Sequence, residues 1–397
     1  MNILIIHNFH RSGAPSGDDV VVRQEMELLK SKGHNVFLLS RHNDDFEKYS
    51  MVRKLSTFLN LHYSIASYSE VFNFLKEERV DIVHIHNIFP LWTPAVYFAC
   101  KDAGIPVVHT LHDFRFFCAN AFLFRGNNVC NVCFTKTPLY SIKYRCFKDS
   151  IIGSVFVAKY LSYVKRGKLY LFADAYLALT DFAKQLYFEF GIPKDKLYVK
   201  PNFVADTLNG TSDFKEGYFA YVGRISEEKG IKVLINALIS SSAKNVKLKI
   251  LGAGPLTHYL KDIISKNKLQ NIDYLGLVQR EEALKVIRGA LALVFPSVCL
   301  ESFPMSIIES FARGTPVIAS DFGAMSQLIA HGKTGLLFKK GDPQDLAEKI
   351  LYLANNPEIA IEMGKNARQE YLQKYTPEVN YNILMDIYRR VIEEKRG

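Results

Sequence analysis

The chain has 397 residues, more than one hydrophobic core usually organises, so two α/β domains of ordinary size are expected. Hydrophobic residues make up 48% and charged residues 23%, which excludes the low hydrophobicity and charge excess of a disordered chain. No apolar run approaches the roughly 18 residues of a membrane-spanning helix, and the formal charge of +10 points to an anionic partner.

Met1 to Phe9 carries a short apolar run with no basic segment before it, so it reads as a buried strand and not as a signal peptide. The expected location is therefore cytoplasmic. Strands are predicted at Asn2 to Ile6, Asn35 to Leu39, Ile82 to Ile85, Pro106 to Thr110, Ala175 to Leu179 and Leu197 to Val199, with helices between them. Gln24 to Lys32 is one such helix, closed by Gly33 in the left-handed conformation.

Between Lys136 and Tyr170 stand eight Lys or Arg against one acid, Asp149, interleaved with Phe147, Ile151, Ile152, Val155, Phe156, Tyr160, Leu161 and Tyr163. This pattern fits an amphipathic helix on an anionic membrane, which would place the protein peripherally on the inner face of the cell membrane. A solvated helix face packed on its own domain fits equally. Nucleic acid is not expected as a partner, because no helix-turn-helix, zinc-finger or ribonucleoprotein signature accompanies the charge.

A second series of strands is predicted at Tyr218 to Val222, Lys247 to Leu251, Ile272 to Tyr274, Leu291 to Phe295, Pro316 to Ala319 and Gly335 to Phe338. Alternation of strand and helix gives two doubly wound parallel sheets. The domains are expected at 1–200 and 201–376, with a last helix at 377–397, set off by the break at Thr376-Pro377, docked back on the first. Such sheets bind ligands at the carboxyl ends of their strands where strand order reverses, and two facing sheets would make one cleft.

The chemistry lies in the loops after these strands. Tyr221-Val222-Gly223-Arg224-Ile225-Ser226-Glu227-Glu228-Lys229-Gly230 leaves a strand and opens a helix. Gly223 lets backbone approach a ligand, and Arg224 and Lys229 bring two cations to a helix start that already favours anions. A diphosphate fits there, and so does a plain turn whose cations pair with Glu227 and Glu228. Glu301-Ser302-Phe303-Pro304-Met305-Ser306-Ile307-Ile308-Glu309 follows another strand, with Pro304 suited to a first helical turn. Eight positions separate the two carboxylates by roughly 12 Å at most, within the span of one nucleoside diphosphate sugar.

With these elements on the page, the chain resembles the retaining nucleotide-sugar glycosyltransferases of the GT-B fold, specifically glycosyltransferase family four. The resemblance covers nearly the whole chain and rests on Gly-Arg…Glu-Lys-Gly at 223 to 230, Glu-x7-Glu at 301 to 309, Gly314-Thr-Pro-Val and Gly332-Lys-Thr-Gly-Leu-Leu. It implies that Arg224 and Lys229 hold the donor diphosphate and that Glu309 binds the ribose. Glu301, with the backbone through Phe303, Pro304 and Met305, would contact the transferred sugar. It also implies that the loop Ser12-Gly13-Ala14-Pro15-Ser16-Gly17-Asp18-Asp19 brings Gly17 to the phosphates. Here the loop reads Ser-Gly-Asp-Asp where many relatives carry Gly-Gly-Glu-Asp, so only the second Gly is kept.

In such a transfer a diphosphate departs while the sugar becomes cationic, so Arg224 and Lys229 are the expected catalytic groups. The resemblance implies retention of configuration, with a phosphate oxygen helping to deprotonate the acceptor. Two cations and a helix terminus make a catalytic cofactor or divalent metal unnecessary. The acceptor, a saccharide or lipid-linked saccharide of a bacterial surface polysaccharide, belongs to the first domain. His112 resembles the histidine that the family sets beside the reacting sugar, and Asn87, Asp113 and Arg115 are candidates to orient the acceptor. His84 and His109, inside strands, are expected as satisfied core residues. A nucleotide-sugar sensor without transfer and a sugar-nucleotide epimerase are the competing functions.

Four of the six cysteines, Cys118, Cys130, Cys133 and Cys146, fall in one window. Cys-x2-Cys at 130 and 133 is structural zinc spacing, and a cytoplasmic chain keeps thiols reduced. Disulfides and four unrelated buried cysteines are the other readings.

Overall fold

The computed structural model describes residues 1–10, 16–126, 128–206, 215–239 and 242–396. Contacts divide the chain into two compact units, one of Met1–Leu123, Cys130–Asn202 and Asn380–Gly397, the other of Phe124–Val129 and Phe203–Val379.

The first unit holds a six-stranded sheet: β1 (Asn2–Phe9), β2 (Asn35–His42), β3 (Ile82–Asn87), β4 (Val107–Thr110), β5 (Ala175–Ala178) and β6 (Leu197–Val199). Every pair is parallel, and the order is β2-β1-β3-β4-β5-β6. The chain leaves β1 to one side and returns at β3 to build the other, so strand order reverses between β1 and β3. Ile3, Ile5, Ile82, Val108 and Leu177 form the core under one sheet face. Leu384, Met385, Tyr388 and Val391 of the last helix, Pro377–Arg396, pack into that same cluster.

The second unit repeats the plan with β7 (Tyr218–Val222), β8 (Lys247–Leu251), β9 (Ile272–Gly276), β10 (Ala292–Phe295), β11 (Val317–Ser320) and β12 (Gly335–Phe338). Its order is β9-β8-β7-β10-β11-β12, again all parallel, with the reversal between β7 and β10. Both sheets are the Rossmann-like arrangement expected, and near-continuous apolar runs such as Val317–Ser320, buried throughout, are what a two-sided parallel sheet requires.

The helix predicted from Gln24 begins earlier, at Gly17. Ser16 and Asp19 cap it reciprocally, side chain to backbone in both directions, and this box outweighs the weak helix preference of Gly17-Asp18-Asp19. Gly33, at φ +82°, ends it as expected. Among the described residues no helix is long and apolar enough to cross a membrane.

Candidate functional site

At the reversal point of the second sheet the loops after β7 and β10 meet. Gly230, at φ +72°, lies so close to β10 that an added Cβ would stand 1.8 Å from the Pro296 carbonyl oxygen. Gly252 and Gly254, after β8, press on the β7 loop in the same way: their Cβ atoms would stand 1.9 Å from the Gly223 oxygen and 2.4 Å from the Ile225 oxygen. Gly223 differs, since its Cβ would meet only the Tyr221 side chain, the hydroxyl at an ordinary 3.6 Å. The neighbouring protein leaves room at Gly223.

The loop so fixed carries Lys229 to Glu301. The ammonium donates to both carboxylate oxygens at 2.7 and 2.9 Å, and Ser297 Oγ adds a third bond at 2.7 Å. Burial works against the Lys229 charge, but Glu301 and the Cys299 beside it outweigh that and raise its pKa. The pair stays partly exposed, as a site for a charged ligand must. Arg224 lies mainly in solvent, its guanidinium 3.8 Å from Glu228, while Tyr221 Oη donates to its carbonyl at 2.8 Å. The loop therefore fixes the Arg224 backbone and leaves its side chain largely in solvent.

Glu309, on the helix Met305–Ala312, accepts from Arg280 Nε and Nη2 at 3.1 and 2.8 Å. Sequence reasoning missed Arg280. It opens the helix Arg280–Gly289 in the run Gln279-Arg280-Glu281-Glu282, which reads as an ordinary polar helix start. Pro304 is the N-cap and not a residue of the first turn, so the helix starts at Met305, with Phe303 buried just before it.

In the first unit the reversal point is equally occupied. Gly17 is the first helical residue, as the resemblance requires, whereas Ser12 to Pro15 of the same loop lie outside the described residues. Asp19 accepts from His7 Nε2 at 2.9 Å, from the His10 amide at 3.2 Å and from the Ser16 amide at 3.1 Å. Although burial opposes ionisation, the bonds from His10 and His7 hold its carboxyl far below the usual range. Asn87, at the end of β3, accepts from the Phe89 amide at 2.9 Å and donates to Asp18 at 3.4 Å.

Beneath this lies a buried chain of charges. Glu25 Oε1 stands 3.0 Å from His84 Nδ1 and 3.2 Å from His86 Nε2, and Lys200 Nζ donates to Oε2; all four side chains are fully buried. His86 Nδ1 is 2.9 Å from His112 Nε2. His84 also meets Thr110 at 2.8 Å and Tyr388 of the last helix at 2.7 Å, and His109 meets Tyr97 at 2.6 Å, so both are satisfied core residues. Burial, then the neighbouring His86, His7 and Lys200, push the His112 pKa well below its ordinary value. These surroundings favour the neutral form of the His112 ring.

Asn87, His112, Asp113 and Arg115 line one recess of about 30 Å³, together with His86, Phe89 and Tyr160. Its walls are more committed than the sequence suggests. Arg115 lies over the Phe89 ring at 4.6 Å and bonds the Ala119 carbonyl, and Asp113 accepts from the Arg115 amide at 2.8 Å. Tyr160, expected among the membrane-facing aromatics, is instead buried, and its hydroxyl has no hydrogen-bond partner among the described residues. Leu161 is buried as well, and Lys165 bonds the Phe134 and Lys136 carbonyls instead of reaching outward.

The four clustered cysteines are free thiols. Cys118, Cys146 and Cys130 are all electrostatic neighbours of Cys133, which burial first and those thiols next push up to about 12, and the Ala119 amide donates to its sulfur. Among the described residues, three or more potential ligand atoms lie within 4.8 Å of one another only at Glu25–His84–His86 and at His7–Asp18–Asp19. The cysteine sulfurs form no such group.

These two sheets, with a polar site at each reversal point, define the GT-B fold. The Anabaena protein HepE, crystallised with UDP, matches it with a TM-score of 0.68 at 18% identity, over 98% of this chain and 99% of that one. Residues 15–207 match the family model described as Glycosyltransferase Family 4, and residues 209–370 match Glycosyl transferases group 1. An uncharacterized glycosyltransferase of Methanocaldococcus jannaschii is 27% identical over 86% of this chain and 84% of its own. The capsular polysaccharide biosynthesis glycosyltransferase CapM of Staphylococcus aureus is 29% identical over 45% of this chain and 47% of its own. The chain is a glycosyltransferase of the GT-B fold, similar to family four.

Proposed function

We infer that this glycosyltransferase moves a sugar from a nucleoside diphosphate sugar to a saccharide or lipid-linked saccharide, with retention, in the assembly of a bacterial surface polysaccharide. The observation that carries the reading is Lys229, held on Glu301 where strand order reverses, in a loop braced by three glycines. A diphosphate arriving there takes over the ammonium from Glu301, and the exposed Arg224 closes on the same charge. Stabilisation that grows as the leaving group departs accelerates transfer. A phosphate oxygen then takes the acceptor proton, so no protein nucleophile and no divalent metal is needed. HepE's UDP supports a uridine nucleotide, and CapM's role supports a polysaccharide product.

The test is turnover of a panel of nucleotide sugars, with and without saccharide acceptors and with and without a chelator. Acceptor-dependent release of nucleoside diphosphate, unaffected by chelator, with the anomeric configuration kept in the product, supports the reading. Binding without release would favour a sensor, and an altered sugar still attached to nucleotide would favour an epimerase.

The reading also includes a cytoplasmic site of action and a structural zinc on Cys118, Cys130, Cys133 and Cys146. The zinc rests on their spacing and on their gathering around Cys133, although the sulfurs must draw closer to share one ion. Elemental analysis of the native protein and of Cys130→Ser with Cys133→Ser decides it: about one zinc per chain, lost in the double variant, is the expected result.

A further inference from the structure

Two helices of the first unit expose apolar side chains in the same pattern. On Met51–Leu59 these are Met51, Val52, Leu55 and Leu59; on Ile151–Gly167 the same spacing is filled by Ile151, Ile152, Val155 and Lys159. At about 100° per residue each set lies within an arc of about 100°. Met51, Val52 and Ile152 are 79%, 80% and 71% exposed. Phe58 stacks on Phe156 with centroids 5.4 Å apart, and Lys159 Nζ donates to the Leu59 carbonyl at 3.1 Å. The two stripes therefore share one surface. Monomeric proteins scatter such side chains singly, so seven together mark a contact.

Charge decides the kind of contact. Neither helix contains an acid, while Arg53, Lys54, Lys159 and Arg166 stand on them, and just before the second the exposed Lys148 is followed by one exposed acid, Asp149. We propose that this surface docks on an anionic lipid bilayer, the seven apolar side chains entering the headgroup boundary and the flanking cations meeting lipid phosphates. The helix Met51–Leu59, which the sequence did not single out, supplies four of the seven. The docking deepens the transfer reading by placing the enzyme where a lipid-linked acceptor is carried. Vesicle binding itself needs neither donor nor acceptor, so the two are separately testable.

The experiment is flotation with vesicles of phosphatidylglycerol and phosphatidylcholine in about equal amounts, and with phosphatidylcholine alone. The native protein should float with the first and much less with the second. Val52→Asp, Leu55→Asp and Ile152→Asp together should lower the bound fraction at least about tenfold, with an unchanged melting temperature. Leu372→Asp, at an exposed apolar position of the second unit, should leave it unchanged. Native protein that does not float, or a triple variant that floats as well as native, overturns the proposal. So does a native dimer that ignores vesicles and that the triple variant converts to monomer, since the surface would then seat a second copy. Transfer to a soluble acceptor analogue should survive in the triple variant; a protein that floats but never transfers leaves the docking standing and removes only the transfer reading.

Discussion

The two reversal points use charge in opposite ways. In the second unit, Lys229–Glu301 and Arg280–Glu309 are partly exposed pairs, the first on a loop braced through backbone contacts at glycine and the second between two helices. A ligand can exchange with such a pair at little cost, because neither charge need be stranded. In the first unit, Glu25, Lys200, His84 and His86 are wholly buried and serve one another. Charges there have no water to return to, so the network fixes geometry, above all that of His112 through His86. One site holds binding energy in reserve, and the other holds shape.

The largest effect should fall on the buried network. Glu25→Ala strands the Lys200 ammonium and should destabilise the first unit by about 3–5 kcal/mol. Hydrogen exchange resolved along the chain should show the loss confined to residues of that unit; equal loss in both would contradict the comparison. Lys229→Ala should do the reverse, leaving stability near native while turnover at saturating donor falls about 10²–10³-fold. A raised Michaelis constant with unchanged turnover would mean that Lys229 holds the ground state only.

Acid should also separate the units. His86 and His109 are pushed down to about 3 by burial, and His112 is lowered in the same direction. A group with a depressed folded pKa contributes stability above its unfolded pKa and loses it as pH falls toward the folded one. Below about pH 6.5 the first unit should therefore weaken by up to about 1.4 kcal/mol per pH unit for each such histidine. His10, whose pKa is raised by Asp19 and Asp18 against burial, works in the opposite sense. Exchange rates at pH 7 and pH 5 provide the check: faster opening of the second unit than of the first on acidification would be the wrong result. A smaller effect is expected at Glu309→Ala, where nucleoside diphosphate binding should weaken about tenfold, or about 1.4 kcal/mol, through loss of the ribose contact. Unchanged affinity by calorimetry would assign Glu309 to Arg280 alone.

Strand positions were legible because parallel strands buried on two faces leave apolar runs that loops interrupt, whereas the order of the strands, and with it each reversal point, came only from the fold. Lys229 and Glu301 were legible because each stands in a loop that leads from a strand into a helix. Arg280 was not, since a cation opening a polar helix carries no mark of its partner 29 residues on. Glu25 was equally hidden: within Arg23-Gln24-Glu25-Met26-Glu27 it looks like surface charge, and only the fold brings Lys200, 175 residues away, against it. Tyr160 was misassigned because alternating aromatic and basic residues describe a helix with two different faces, and composition alone does not say which aromatic turns inward.

The smallest effect tests how far the first site is shape alone. The Tyr160 hydroxyl is buried, lines the recess with Asn87, His112 and Asp113, and lacks a hydrogen-bond partner among the described residues. A buried polar group left unpaired costs stability, so Tyr160→Phe should leave the melting temperature unchanged or raise it by an amount worth about 1 kcal/mol or less. If the hydroxyl instead waits for an acceptor, the same substitution removes one hydrogen bond from the complex, worth about 1 kcal/mol, or roughly a fivefold higher acceptor Michaelis constant at saturating donor. The donor constant should not move, because the β7 and β10 loops are untouched. Acceptor affinity therefore falls without loss of stability for a binding hydroxyl, and stability falls without loss of acceptor affinity for a structural one. A lowered melting temperature with native acceptor kinetics would make Tyr160 part of the scaffold, and the first site would then carry no polar group in reserve at that position.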